Sequence, residues 1–184
     1  YTTSFTGNTN AGTASITLTG IGNYTGTKTE GFTIASKTLT ITAEDKTKVY
    51  DGSAFPQANY SVTYDGFVGD EGTSDLAGTL AYTGTAIAAT VTGTYVITPS
   101  GLTSDNYSIV YEDGELSITQ RDISEASIAD IADLVYTGSA QTVSPEVTFS
   151  SLTLVEGTDY TTSFTGNTNA GTASITLTGI GNYT

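Results

Sequence analysis

Cysteine, histidine, methionine and tryptophan are all missing from this chain. Without them there is no disulfide, no thiolate or imidazole metal ligand, and no thiol or imidazole catalysis. The missing cysteine does not fix a compartment, since some exposed proteins fold without oxidative help. Basic residues are scarce as well: five against nineteen acids, for a formal charge of −14. A nucleic-acid-binding surface needs a basic footprint, so that partner is excluded, as is docking on anionic lipid. No apolar run approaches the ~18–20 residues of a membrane span, and no leader pattern is visible. Only three prolines occur, and the hydrophobic share of 37% suits small cores better than one large one.

What fills the gap is Thr, Gly, Ser and Tyr. Thr, Tyr, Val and Ile suit a pleated, half-buried surface, and Gly punctuates it with turns. The expected class is mostly β with little helix. Thr13 to Thr19 shows the pattern: Ala14, Ile16 and Leu18 share one face, and the hydroxyls of Thr13, Ser15, Thr17 and Thr19 share the other. Such a strand is half-buried and hydroxyl-covered outside. Tyr1 to Phe5 and Thr13 to Thr19 flank a Gly/Asn turn, a hairpin signal. Further strands are expected at 31–35, 38–43, 59–64, 80–82, 93–98, 107–111, 116–119, 147–149 and 152–155. The stretch from Asp65 to Gly78 reads as a polar loop with at most one helical turn near Ser74 to Ala77. The segment from Ile123 to Val135 is ambiguous and is taken as strand.

The most informative stretch is Tyr1 to Thr25. It returns without a change as Tyr160 to Thr184, an offset of 159 residues. Repetition at a fixed period marks arrays and solenoids. The expectation is a tandem array of which this chain covers slightly more than one period. Within a period there are two related halves. Val49-Tyr50-Asp51-Gly52-Ser53-Ala54 matches Val135-Tyr136-Thr137-Gly138-Ser139-Ala140, and Asn106-Tyr107 resembles Asn182-Tyr183. Gly93-Thr94 resembles Gly171-Thr172, and the closing strand Leu116-Ser117-Ile118 resembles Phe32-Thr33-Ile34. Residues 37–120 then form one complete module, A. Residues 121–184 form most of a second, B, lacking its last strand, whose sequence survives at 26–36. Residues 1–36 are the second half of the preceding B. Adjacent identical repeats are therefore the expected partners, in the same chain or filament. Two routes would complete module B: continuation of one longer chain, or addition of the 26–36 strand from a neighbouring chain. No Pro/Ser/Gly tether separates the modules, so the array is expected to be stiff.

At this point the motifs resemble the bacterial MBG ("mostly β-grasp") modules, including the YDG-type tandem repeats of cell-surface adhesins. Module A carries Lys48-Val-Tyr-Asp-Gly52, Asp65-Gly66-Phe67, Asn106-Tyr107 and Gly114-Glu-Leu-Ser-Ile118. Module B carries Tyr136-Thr-Gly138, Gly157-Thr-Asp-Tyr160, Asn169-Ala-Gly171 and Gly179-Ile-Gly-Asn-Tyr183. The resemblance implies tandem β-grasp-like modules in an elongated array. It also implies an extracellular, bacterial cell-surface stalk or fibre without catalytic residues.

No constellation in the sequence carries chemistry strongly. Asp65, Asp70, Glu71 and Asp75 share one loop and are a weak calcium candidate, since hard cations take oxygen ligands; their spacing is not that of an EF-hand. Otherwise no cofactor is expected. Asn23, Asn59, Asn106 and Asn182 each precede Tyr and then Ser or Thr, which fits an N-glycosylation acceptor; the competing reading is a turn-plus-core pair. An amide cross-link from Lys28, Lys37, Lys46 or Lys48 would need a buried lysine beside an acid, and no motif places one. Tyr50 and Tyr136, with Gly52 and Gly138, are expected to be structural: core anchors followed by turns. The Thr rows read as solvated strand faces. No nucleophile–base pairing is evident, so the chain is not read as an enzyme. The rival to the structural reading is a module that binds glycans, or a host or abiotic surface, through the longer loops of module A.

Overall fold

The computed structural model describes residues 1–184. Its strands, in chain order, begin with β1 (Thr2–Thr6), β2 (Gly12–Thr19), β3 (Thr27–Ile34), β4 (Lys37–Ala43) and β5 (Lys46–Val49). They continue with β6 (Val62–Asp65), β7 (Ala77–Thr83), β8 (Gly93–Thr103), β9 (Tyr107–Glu112) and β10 (Gly114–Thr119). The last five are β11 (Ser127–Ile128), β12 (Val147–Phe149), β13 (Leu152–Leu154), β14 (Tyr160–Thr165) and β15 (Ser174–Gly179). There is no α-helix; four short 3-10 turns are the only helical pieces. No helix is long and apolar enough to cross a membrane.

The chain divides into two compact units. The first comprises Tyr1–Glu44, Gln57–Gly84 and Val96–Gly114, and the second Asp45–Pro56, Thr85–Tyr95 and Glu115–Thr184. The division therefore runs through the 37–120 span.

In the first unit, β1, β2 and β3 form an antiparallel sheet in that order. The β2–β3 register runs from Gly12 opposite Ile34 to Thr19 opposite Thr27. A second sheet sets β4 between β6, antiparallel, and β9, parallel. The alternation in β4 explains its central place. Leu39, Ile41 and Ala43 point inward and are fully or almost fully buried, while Thr40 and Thr42 keep partial access to water. Tyr107 packs on Leu39 and Ile41 with Phe67 edge-on, ring centroids 5.6 Å apart. Strands β7 and β8 pair antiparallel, with a bulge between Gly78 and Ala81, in a four-stranded sheet of order β5-β10-β8-β7.

In the second unit, β5 lies parallel to β10. Strands β11, β12 and β13 form a small antiparallel sheet, and β14 pairs with β15 alone. The core gathers Val147, Leu154, Tyr160 and Tyr183, flanked by Tyr50, Ile123, Phe149, Leu152 and Leu177. The Arg121 guanidinium sits 3.6 Å over the Phe149 ring, covering this cluster with a cation–π contact.

Most of the strands expected from alternation are present, and the expected turn in the acidic loop is a 3-10 turn at Thr73–Asp75. The segment from Ile123 to Val135 departs from expectation. It holds a 3-10 turn (Ile123–Glu125) and the two-residue β11, and no regular structure follows from Ala129 to Glu146. By the internal repeat, residues 132–135 correspond to β5. Strand β5 is held by β10, and residues 132–135 have no strand beside them.

Candidate functional site

Two recurring Asn-Tyr turns are the chemically specific features of this fold. In the first unit, buried Tyr107 closes the core, and its hydroxyl accepts the Val68 N–H at 2.9 Å and donates to the Glu71 carboxylate. The hydrogen bond to Glu71, helped by burial, raises the Tyr107 pKa above its ordinary value. Asn106, just before it, has two jobs. Its backbone oxygen accepts the Lys37 N–H at 3.0 Å, at the start of β4. Its side-chain oxygen accepts the Ala11 N–H at 2.9 Å, just before β2.

The second unit repeats this arrangement with different residues. Buried Tyr183 meets the Tyr50 ring edge-on at 5.4 Å. The Asn182 backbone oxygen accepts the Arg121 N–H at 2.9 Å. Its side-chain oxygen accepts the Thr92 N–H at 2.9 Å and the Thr92 hydroxyl at 3.1 Å. The parallel pairing of Lys37 with Tyr107 has its counterpart in the parallel bridge of Arg121 with Tyr183. Ala11 precedes Gly12-Thr13 and Thr92 precedes Gly93-Thr94, so the two donors are also repeat equivalents. In both cases the asparagine ties the residue ahead of a Gly-Thr strand start to the turn that carries a core tyrosine. The sequence shows the Asn-Tyr pair, but its partner 90 or 95 residues away is legible only in the fold.

Asn106 and Asn182 therefore work as turn-plus-core pairs with their amide oxygens in use. Tyr60, after Asn59, is also buried. Tyr24, after Asn23, is 78% exposed, although residues 1–25 and 160–184 are identical. Tyr50 is half-buried on the second unit's core, as an anchor should be. Tyr136, expected as its counterpart, is 60% exposed; this corrects the sequence reading, since the stretch 129–146 around it forms no regular structure that would bury the ring. Gly52 and Gly138 still share a turn conformation, with φ of 76° and 79°.

The four loop acids are not gathered into a ligand set, and no cluster of three or more acidic side chains lies within metal-holding reach. Asp65 ends β6, Asp70 lies in a turn, Glu71 accepts from Tyr107, and Asp75 accepts the Gly72 N–H at 2.8 Å. Of the four lysines, Lys48 is mostly buried and lies 2.6 Å from Asp51. Burial pushes the Asp51 carboxyl up. The hydrogen bonds from Lys48 and the Ser53 N–H, with the charges of Lys48 and Arg121, outweigh it and hold the group below its ordinary value. Lys28 faces Glu30 at 3.8 Å on an exposed strand.

Two clefts accompany these features. One, of about 460 Å³ in the first unit, is lined by Asn10, Asp75, Thr103, Ser104, Asp105 and Asn106 among others. The other, of about 630 Å³ in the second unit, lies between residues 131–143 and 164–175.

The family model of the MBG domain (YGX type) matches residues 39–117. That stretch lies inside the module read as 37–120, and the resemblance drawn from its motifs holds there. No curated protein and no solved structure matches the chain.

Proposed function

We propose, from the premise that residues 39–117 are an MBG domain, that this chain is a structural tandem-repeat segment of an extracellular bacterial surface stalk or fibre. The observation that carries the reading is the duplicated joint. Asn106 and Asn182 receive equivalent backbone N–H groups at the same 2.9 Å, in two units of different sequence. A binding or catalytic site is needed once. A fixed joint that recurs in both related halves of the repeat is what a spacer needs, because each module must hand the same geometry to the next. The charge of −14 keeps such a polymer soluble through self-repulsion. The role is mechanical reach, without catalysis.

Electron microscopy of the native material tests this. The expected result is filaments with a constant axial period per 159-residue repeat. Compact particles with no period would refute it. A second reading, a glycan- or surface-binding module, has one supporting observation: the polar cleft beside Asn106, with the Asp75 and Asp105 carboxylates at its wall. Saturable binding on a glycan array, abolished by Asp105→Ala, would favour it.

A further inference from the structure

We propose that residues 37–119 work as a shear clamp, in which two parallel strand ladders, β4 with β9 and β5 with β10, hold the chain against pulling along its length. The inference rests on the fibre reading and adds to it what would resist the tension on a surface stalk.

The direction of the pairings carries the inference. Tension along the chain reaches the first ladder at Lys37, where β4 begins, and leaves it past Glu112, where β9 ends. The two strands are parallel, with Lys37 opposite Tyr107 and Thr42 opposite Glu112. Entry and exit therefore lie at opposite ends of the pair. A pull slides one strand along the other and loads the backbone hydrogen bonds between them together. In an antiparallel pair entry and exit would share one end, and the same pull would open the bonds one after another. Parallel pairs are slightly weaker per residue at equilibrium, so what sets this ladder apart is the direction in which it resists.

The second ladder has the same geometry within the second unit. Tension reaches it at Lys46, opposite Leu116, and leaves it at Thr119, opposite Val49. Both ladders keep one register, a separation of 70 residues, and a side-chain bond in each unit keeps it too. The Thr42 hydroxyl donates to the Glu112 carboxylate at 2.8 Å, and the Asp45 carboxylate accepts the Glu115 N–H at 2.8 Å. Further backbone bonds tie the ends. The Lys37 N–H donates to the Asn106 oxygen at 3.0 Å at the entry of the first ladder. The Tyr50 N–H donates to the Thr119 oxygen at 2.9 Å at the exit of the second.

The cores lock that register. Leu39 and Ile41 in the first ladder, and Leu116 and Ile118 in the second, are buried. Re-pairing after a slip of one residue would turn these side chains to the opposite face. The same burial keeps water from competing for the strained bonds. At Gly114 the chain passes so close to β4 that a Cβ would lie 2.6 Å from the Ala43 oxygen. The following module opens in the same manner: Arg121 bridges Tyr183 in parallel, and the Ile123 N–H donates to the Thr184 oxygen at 2.8 Å.

Pulling single molecules of the whole chain by introduced cysteines tests the clamp, and the background is clean because the chain has none of its own. Lys37, Asp105 and Asp113 are exposed, so handles there leave the fold intact. The Lys37→Cys, Asp113→Cys variant loads the first ladder in shear. The Lys37→Cys, Asp105→Cys variant draws the same two strands apart from their entry ends. At one loading rate the shear variant should rupture at a severalfold higher force than the peeling variant, while the two share one urea midpoint. Forced unfolding follows the unfolding barrier, so a force that depends on direction at equal stability reports the ladder. Ser36→Cys in place of Lys37→Cys gives the same two directions and should give the same order of forces. Equal forces in the two directions, or a lower force in shear, overturn the clamp. Clamp and stalk fail separately. Filaments whose modules rupture alike in both directions remove only the clamp, and compact particles whose modules resist shear remove only the stalk.

Discussion

Replacing Asn182 by alanine should weaken the second unit, and the same change at Asn23 should not. The two residues sit in identical sequence, from residue 1 to 25 and from 160 to 184, so intrinsic propensity cancels between them. What differs is the surroundings. Asn182 Oδ1 accepts two hydrogen bonds from Thr92, at 2.9 and 3.1 Å, in a part-buried setting. Asn23 lies in an exposed turn. A hydrogen bond of this kind contributes about 0.5–1.5 kcal/mol net, and stranding a part-buried donor adds to the loss. Asn182→Ala should therefore cost about 1–2 kcal/mol. At ~2–4 °C per kcal/mol for a chain of this size, the melting point should fall by about 2–8 °C.

Urea and thermal unfolding followed by tyrosine fluorescence would read this, since no tryptophan intrudes. Asn23→Ala should stay within about 0.5 kcal/mol, as exposed substitutions do. Asn182→Asp keeps the accepting oxygen and should recover most of the loss. Equal effects at Asn23 and Asn182 would refute the joint, because propensity alone would then explain both. So would an aspartate variant as weak as the alanine one.

Other outcomes follow from the same structure. Leu39→Ala, at a fully buried position of the first unit, should cost about 2–5 kcal/mol in denaturant midpoint measurements. Gly66→Ala should cost roughly 1–3 kcal/mol, because its φ is +121° and a new Cβ would lie 2.6 Å from the Thr38 oxygen; a neutral result by calorimetry would reject the turn geometry. In alkali, burial raises the hydroxyl pKa of Tyr60, Tyr64, Tyr82, Tyr160 and Tyr183 above the ordinary value. The folded state then holds these protons more tightly, so their contribution is intact below about pH 10 and is lost as the pH rises through the folded values. Phenolate absorbance rising together with unfolding checks this. In acid, the lowered Asp51 pKa works the other way: its contribution is present above the ordinary carboxyl value near about 3.9 and fades below it. Melting of Asp51→Asn should lack that part of the acid dependence.

The pattern of what was legible in the sequence follows from which forces act locally. Strand β4 was readable because Leu39, Ile41 and Ala43 alternate with Thr40 and Thr42, and burial of one face needs nothing more. The turn at Thr73–Asp75 was readable because Asp75 caps the Gly72 N–H within three residues. The partners of Asn106 and Asn182 were not, because a side-chain bond across 90 or more positions leaves no spacing rule behind. The acids from Asp65 to Asp75 looked like one cluster because they are near in sequence, yet Glu71 and Asp75 are each engaged in a separate structural bond.

The duplicated segment takes the point further, since it removes local sequence as a variable. Residues 12–19 are strand throughout, while of 171–178 only the part from Ser174 onward is, although every residue is the same. Tyr24 is exposed and Tyr183 is buried in the same Asn-Tyr turn. Both contrasts have one origin. Each copy has the neighbours the other lacks: the first has β3 beside it, and the second has the core of Val147 and Leu154 beneath it. Strand length and tyrosine burial in this chain are therefore set by which half of the repeat lies alongside, and alternation only makes the residues competent for it. Fusing the 26–36 sequence after Thr184 would supply the missing neighbour directly. Amide hydrogens at 172 and 173 should then become as protected from exchange as those at 13 and 14; continued fast exchange there would mean that the third strand does not govern the extent of the second.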